Sequence, residues 1–141
     1  MFLIDVNFCL ALAFQSHVHH LAAKAWFDGV TGPQVCHFCR MTQQGFLRLA
    51  TNPKAFGAEA VTLERAWELY DALLGDPRLQ FMNEPTGIEV FWRDYTRAET
   101  FSPKVWNDAY LAAFARAANL QLVTFDNGFT QFTDLNRLIL S

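Results

Sequence analysis

The sequence carries little basic charge for its length. Among its 141 residues, 11 Lys and Arg stand against 14 Asp and Glu, and the formal net charge is −3. Duplex DNA is bound largely through many Lys and Arg contacts to phosphates. The composition therefore argues against a broad DNA-binding surface, while a short basic groove beside an acidic pocket stays compatible with it.

Long apolar runs are absent as well. No stretch of 18 or more apolar residues occurs, so the sequence predicts no membrane-spanning helix. The apolar residues 1–14 have no basic segment and are interrupted by Asp5, which does not fit a secretory signal peptide. We expect a cytoplasmic protein.

Cysteine is scarce and its number is odd, with Cys9, Cys36 and Cys39. Cys36 and Cys39 form a Cys-x-x-Cys motif, which raises the alternatives of a redox pair or a zinc site. In a strand, however, residues three apart lie about 10 Å apart on opposite faces, whereas a disulfide needs Cα atoms within about 7 Å. A zinc site would need a second ligand pair at motif spacing. We interpret all three cysteines as buried free thiols.

Three of the four histidines fall in the segment HVHH, residues 17–20. If this segment is helical, His17 and His20 share a face, and pairs of this kind bind metals in some proteins. No third ligand is apparent. We therefore interpret the segment as the solvated start of a helix.

Apolar side chains, by contrast, are abundant. Hydrophobic residues make up 52% of the chain and aromatic residues 15%, which excludes a disordered chain. A chain of this length buries a substantial core. We expect a single domain over residues 1–141.

Short apolar segments alternate with helical patterns along most of the chain. Strands are predicted at residues 2–5, 33–39, 79–82, 120–125 and 136–140, and helices at 6–14, 17–30, 42–51, 63–76, 87–97 and 103–118. The predicted N-caps are Ser16, Thr42, Thr62 and Ser102. This alternation predicts a three-layer α/β/α domain with a central, mostly parallel sheet.

One predicted helix has a clear apolar face. In residues 63–76 the spacing of the apolar positions predicts that six side chains face the core together. They are Leu63, Ala66, Trp67, Tyr70, Leu73 and Leu74.

Three aspartates are predicted to meet at one edge of the sheet. Asp5 ends the first strand, Asp108 lies in the first turns of a helix, and Asp126 follows the strand at 120–125. In a parallel α/β sheet, strand C-termini and helix N-termini lie at the same edge, where ligands bind. Carboxylates gathered there without a nearby Lys or Arg repel each other, and Mg²⁺ or Mn²⁺ is the natural compensation for an all-oxygen site.

Each aspartate also has an ordinary explanation. Asp5 fits an N-cap, Asp108 fits a first-turn acid beside the helix dipole, and Asp126 in Asp-Asn-Gly fits a turn. The convergence of all three on one predicted edge favours the metal site.

Four segments together resemble PIN-domain ribonucleases, specifically the VapC toxins of bacterial type II toxin–antitoxin systems. They are LIDVN at 3–7, TQQGFLRLATNP at 42–53, WNDAYLAAFA at 106–115 and LVTFDNGF at 122–129. The resemblance spans nearly the whole chain, and the last two segments at this separation, with the N-terminal aspartate, are specific. It implies a PIN-like three-layer fold, an RNA substrate, a cognate antitoxin and a homodimer.

The resemblance also implies roles for the acidic residues. Asp5, Asp108 and Asp126 are expected to coordinate Mg²⁺ or Mn²⁺, which activates a water molecule to cleave an RNA phosphodiester bond. This agrees with the chemistry of the residues, because a metal lowers the pKa of bound water and screens phosphate charge.

Several polar neighbours are candidates for supporting roles. Thr124 and Asn127 flank the last aspartate and are expected to orient it, and Asn7 is expected to serve the same edge. For RNA binding, Arg48 and Lys104 lie nearest the motif segments and are candidates for phosphate contacts.

Two aromatic residues are further candidates for RNA contacts. Trp92 and Tyr95 are candidates for stacking on unpaired bases. Packing in the core or at an interface is the alternative for both.

One position departs from the family pattern. Many members carry Glu near the start of the helix at 42–51, where this chain has Gln43. Gln43 can touch a cation or its water but adds no charge, so it is a weak-ligand candidate. The departure favours a second hypothesis, a catalytically weak PIN fold that acts as a binding or regulatory protein. A third, a phosphotransfer or phosphatase domain, is disfavoured because Asn7 stands where a second aspartate is expected.

Overall fold

The computed structural model describes all 141 residues and consists of five short strands and seven helices. The strands are β1 (Phe2–Ile4), β2 (Cys36–Phe38), β3 (Leu79–Phe81), β4 (Gln121–Thr124) and β5 (Arg137–Ile139). The helices are α1 (Val6–Ala13), α2 (His20–Asp28), α3 (Arg40–Ala50), α4 (Pro53–Phe56), α5 (Leu63–Leu74), α6 (Ile88–Tyr95) and α7 (Val105–Ala117). None of these helices is long and apolar enough to cross a membrane.

The strands form one sheet in the order β3-β2-β1-β4-β5. All four neighbouring pairs are parallel, which confirms the predicted α/β architecture. The chain builds outward from β1 through β2 to β3, and then returns to β1 and builds outward on the other side. The order therefore reverses between β1 and β4, and such a reversal opens a crevice at the carboxyl ends of the two strands.

The sheet is covered on both faces by apolar side chains. One core cluster joins it to α1, α2, α3 and α5, and the other joins it to α6 and α7. Adjacent residues of β1 divide between the clusters, with Leu3 in the second and Ile4 in the first, and both are fully buried. This explains why the strand is apolar throughout, since successive side chains point to opposite faces.

Three helices begin two or three residues away from their predicted first residues. The second helix begins at His20, and the Ser16 hydroxyl donates to Glu59 instead of capping it. The last long helix begins at Val105, three residues after Ser102. In the sequence, Ser102-Pro103 matches the usual start signal, but the chain turns once more before the helix begins.

The third helix begins two residues earlier than predicted. Its N-cap is Cys39, and Thr42 lies inside the first turn. The Thr42 hydroxyl accepts from the Cys39 backbone N–H at 2.9 Å, so the threonine completes a capping box from within the helix.

The predicted apolar face of α5 is only partly buried. Ala66 and Tyr70 are buried, but Leu63 is 75% exposed and Trp67 is 49% exposed. These residues are spaced as in a helix, as predicted. The rest of the domain, however, covers a narrower part of the α5 surface than the apolar pattern suggests.

The cysteines form no disulfide, and neither they nor the histidines belong to a group of three potential metal ligands. Cys9, Cys36 and Cys39 are free and buried, which confirms the prediction, and burial raises the pKa of Cys36 to about 12. Since α2 begins at His20, His17 precedes the helix and the two do not share a helical face.

Helices α1 and α3 approach each other closely at Gly45. A Cβ atom at this position would lie 2.6 Å from Cγ2 of Val6, well inside van der Waals contact. Any larger residue here would require the Val6 side chain or α1, whose N-cap is Asp5, to shift.

Candidate active site

The three predicted aspartates line one cavity of about 490 Å³ at the carboxyl ends of β1 and β4. This is the crevice created by the reversal of strand order. Helices α1, α3 and α7 complete its walls. The lining residues are Asp5, Val6, Asn7, Met41, Gln44, Gly45, Arg48, Leu49, Asn107, Asp108, Leu111 and Asp126.

Asp5 follows β1 directly and is the N-cap of α1. Its Oδ1 accepts from the Val6 backbone N–H at 2.6 Å, and its Oδ2 accepts from the Thr124 hydroxyl at 2.8 Å. Asp5 therefore has the capping role considered as its ordinary explanation, and it also lines the cavity. Burial raises the pKa of Asp5 to about 6, partly opposed by these two hydrogen bonds, and the Asp108 and Asp126 carboxylates raise it further.

Thr124 links two of the aspartates. Its buried hydroxyl donates to Asp5 and accepts from the backbone N–H of Asp126 at 3.0 Å. Thr124 ends β4, the neighbour of β1, so its hydroxyl connects the ends of the two strands between which the strand order reverses. One side chain thus fixes the carboxylate of Asp5 relative to the backbone of Asp126.

We expect replacement of Thr124 by valine to lower RNA cleavage by roughly 10- to 100-fold, a typical effect of removing a partner that orients a metal-binding carboxylate. Valine keeps the shape but removes both hydrogen bonds. Cleavage rates over a Mg²⁺ titration would measure the loss. Thr124→Ser is the matched control and should retain most activity, while a fully active Thr124→Val protein would show that the bridge does not matter for catalysis.

Asp126 begins the short turn after β4. Its Oδ1 accepts from the backbone N–H of Gly128 at 2.7 Å, the turn chemistry expected for Asp-Asn-Gly. A Cβ at position 128 would lie 3.0 Å from that oxygen, so glycine allows the close approach. The turn holds the carboxylate at the cavity while its second oxygen stays available.

Asp108 lies in the first turn of α7, with its side chain half-buried. Burial raises its pKa, and the nearby Asp126 carboxylate adds to the effect. The positive end of the helix dipole favours an anionic group here. Asp108 thus reaches the same cavity as the other two carboxylates, from α7.

No ion pair compensates these three aspartates. The four ion pairs of the structure all lie elsewhere. Arg48 lines the cavity, but its side chain is exposed at the rim and pairs with none of the three. The site is therefore a concentration of negative charge, the condition that a divalent cation relieves.

The donor set suits a hard cation with a partly aqueous shell. No three His, Cys, Asp or Glu side chains lie close enough together to ligate one ion directly. Mg²⁺ is commonly held by one or two carboxylates and keeps several waters, so the oxygen donors of Asp5, Asp108 and Asp126 fit such an ion.

The structure does not support Gln43 as a ligand candidate. Its buried side chain accepts from the Arg40 guanidinium and contacts Tyr70, away from the cavity. The positions of α3 that face the aspartates are instead 41, 44, 45 and 48. These four positions share one face of the helix, and Gln43 lies off that face. Gln44, and not Gln43, is thus the residue through which α3 brings a side-chain amide to the cavity.

The remaining predicted residues divide between the cavity and the surface. Asn7 lines the cavity and lies between it and a neighbouring groove along α1. Asn127 and Lys104 are exposed and do not line the cavity. Lys104 directly precedes α7, at the end of the helix that carries Asp108.

Asn107, Gln44 and Met41 also line the cavity, and none of them was predicted from the sequence. Asn107 precedes Asp108, and both face the cavity. The segment WNDAYLAAFA contains this asparagine, but the orientation of its side chain depends on how α7 packs on the sheet.

Of the two aromatic residues considered for stacking on RNA bases, Tyr95 donates its hydroxyl to the Thr133 carbonyl at 2.8 Å and packs on Phe132. These contacts agree with the alternative that Tyr95 packs within the domain.

Comparison with known proteins gives consistent results. Residues 2–135 match the PIN domain family. Ribonuclease VapC41 of Mycobacterium tuberculosis is 46% identical over 145 aligned positions, which cover 100% of this chain and 99% of that protein. Ribonuclease VapC38 of the same species is 32% identical, with 91% of this chain and 86% of that protein covered.

Solved structures show the same fold at much lower identity. VapBC2 from Rickettsia felis, bound to a promoter DNA fragment, superposes with a TM-score of 0.72 at 14% identity, over 98% of this chain and 97% of that chain. The Mycobacterium tuberculosis toxin VapC20, described as cleaving the sarcin-ricin loop, gives a TM-score of 0.67 at 17% identity, over 92% and 93% of the two chains. With its parallel sheet, its acidic cavity and these full-length relatives, the chain belongs to the PIN-domain family and, within it, to the VapC ribonuclease toxins.

Proposed function

We propose that this chain is an Mg²⁺- or Mn²⁺-dependent endoribonuclease whose cation is held by Asp5, Asp108 and Asp126, in part through water molecules. The observation that carries the proposal is that three carboxylates without ion pairs line one cavity, where the strand order reverses between β1 and β4. The ribonuclease names of the full-length relatives support the RNA substrate. The proposed functional unit is a single domain over residues 1–141.

Some residues of the cavity orient the aspartate carboxylates, and one is placed to contact the substrate. Thr124 and the Val6 backbone hold Asp5, and Gly128 holds Asp126. When bound, the cation polarises a water molecule and offsets the charge that develops on the phosphate. Arg48 at the rim carries a free guanidinium suited to a phosphate oxygen.

Several partners follow from the same family membership. Similar solved structures are VapBC complexes from Rickettsia felis, Haemophilus influenzae and Salmonella typhimurium, which supports a cognate antitoxin for this chain. Exposed apolar side chains, among them Val18 and Leu21, support homodimer and antitoxin contacts. We place the pair in the cytoplasm, where its RNA substrates are found.

A specific observation favours a second candidate, a PIN-fold binding protein with weak catalysis. Helix α3 presents Gln44 and Gly45 to the cavity and no carboxylate. The site then has three formal negative charges, which weakens its hold on a cation relative to a site with four.

The deciding experiment is cleavage of total tRNA and rRNA by the purified, antitoxin-free protein. We expect fragments in Mg²⁺ or Mn²⁺, no fragments in EDTA, and recovery when Mg²⁺ is added in excess. Equal cleavage in EDTA would contradict the metal dependence. Folded protein that cuts nothing over a wide range of metal concentrations would favour the binding protein.

A further inference from the structure

A second cavity, of about 520 Å³, lies between α6 and the first turn of α7. Its lining combines two indole rings with two guanidinium groups and contains no aliphatic side chain. The residues are Glu89, Trp92, Arg93, Thr96, Arg97 and Trp106. We call it the tryptophan cleft.

The two indoles are held in fixed positions. Trp92 donates from Nε1 to the Trp106 carbonyl oxygen at 3.1 Å. Its ring also packs edge-on against Tyr110, with centroids 5.2 Å apart, and against Trp106, with centroids 6.2 Å apart. Trp92 therefore supports Trp106 from one side. The Trp106 side chain stays 52% exposed, so its ring is free to stack on a planar ligand.

The charge around the cleft favours an anionic ligand. Arg93 pairs with Glu89 on the adjacent turn of α6. Arg97 takes part in none of the four ion pairs of the structure. The cleft thus carries one uncompensated positive charge beside an exposed aromatic face, the combination that binds single-stranded nucleic acid.

The cleft and the acidic cavity share one turn of helix. Trp106 lines the cleft, while Asn107 and Asp108 line the acidic cavity. Residues in one α-helical turn lie within about 5.4 Å of each other along the axis. At 3.6 residues per turn, Trp106 and Asp108 point about 200° apart around the axis, so an RNA strand with a phosphate at the aspartates reaches the tryptophan by crossing the N-terminal end of α7.

We propose that the tryptophan cleft is an RNA subsite, in which an unpaired base near the cleaved bond stacks on Trp106 and its phosphate contacts Arg97. The subsite rests on the proposed function, since it serves the same acidic cavity. It selects for unpaired RNA and tolerates different bases, because stacking uses the face that every base has.

The test measures binding of a short single-stranded RNA with a 5′ fluorescent label, by anisotropy, with Asp108→Asn in every protein to prevent cleavage. Adding Trp106→Ala should weaken binding on the order of 10- to 100-fold, as expected for one lost base stack. Adding Trp106→Phe, which keeps an aromatic face, should recover most of the affinity. Adding Trp67→Ala is the matched control, since Trp67 is a similarly exposed indole on the other face of the sheet, and should change nothing.

The outcomes separate the subsite from the proposed function. If protein with native Asp108 cuts RNA but Trp106→Ala binds RNA as tightly as its parent, the subsite is wrong and the ribonuclease stands. If Trp106→Ala weakens binding while the native protein cuts nothing, the subsite stands and the proposed function fails. A smaller particle mass for Trp106→Ala by light scattering, with RNA affinity lost in step, would make the cleft a protein interface and overturn the subsite.

Discussion

Replacing Asp108 by asparagine is expected to lower RNA cleavage by more than roughly 1000-fold, because a metal site supplies several kcal/mol of transition-state stabilisation. Asn has nearly the same shape but no charge, and Asp108 has no capping or hydrogen-bonding role in the fold comparable to that of Asp5. The substitution also removes charge repulsion with Asp126, so the variant should fold at least as well as the native chain. Initial cleavage rates at saturating Mg²⁺ measure the effect.

The matched control is Asp94→Asn, at an exposed acid of α6 that does not line the cavity. It removes the same charge from the same chain and should leave the cleavage rate unchanged. Native-like cleavage by Asp108→Asn would remove this carboxylate from the mechanism. Equal losses in both variants would point to a general effect of net charge.

The second large effect concerns Asp5 and pH. The pKa of Asp5 in the folded protein is raised from 3.8 to about 6, so the folded state binds this proton more tightly than the unfolded chain does. Its contribution to stability is therefore complete below about pH 4 and is lost as the pH rises through about 6. The shift corresponds to a loss of about 3 kcal/mol in the free energy of unfolding of the metal-free protein.

Urea unfolding in EDTA at a series of pH values from 4 to 7.5 would measure this loss. Asp5→Asn removes the titrating group while an amide oxygen can still cap α1, so the difference between the two pH curves isolates Asp5 from other carboxylates. Adding Mg²⁺ at pH 7.5 should restore stability in the native chain and much less in the variant. Parallel pH curves for the two proteins would show that Asp5 titrates normally.

The convergence of the three aspartates was predictable because it follows from the direction of the chain. In a parallel sheet, a residue at the end of a strand and a residue at the start of the next helix must lie at the same edge. Neither side-chain detail nor exact helix boundaries enter that inference. It holds although α7 begins at Val105 instead of near Ser102.

The position of Gln43 outside the cavity shows what local sequence does not determine. Which face of α3 meets the cavity depends on where the helix begins and on how closely it packs against α1. The first is set by the reciprocal bonds of Cys39 and Thr42, and the second by the contact of Gly45 with Val6. Similarly, the exposure of Trp67 depends on how much of α5 the sheet covers.

The fit of Gly45 against Val6 also constrains how this active site can evolve. A fourth acidic side chain at position 45 would collide with Val6, and relieving the collision by moving α1 would displace Asp5, its N-cap. A carboxylate there would be tolerated only together with a smaller residue at position 6, so the two positions are epistatic. Position 44, whose side chain is exposed at the cavity, offers a single-substitution route to the same charge.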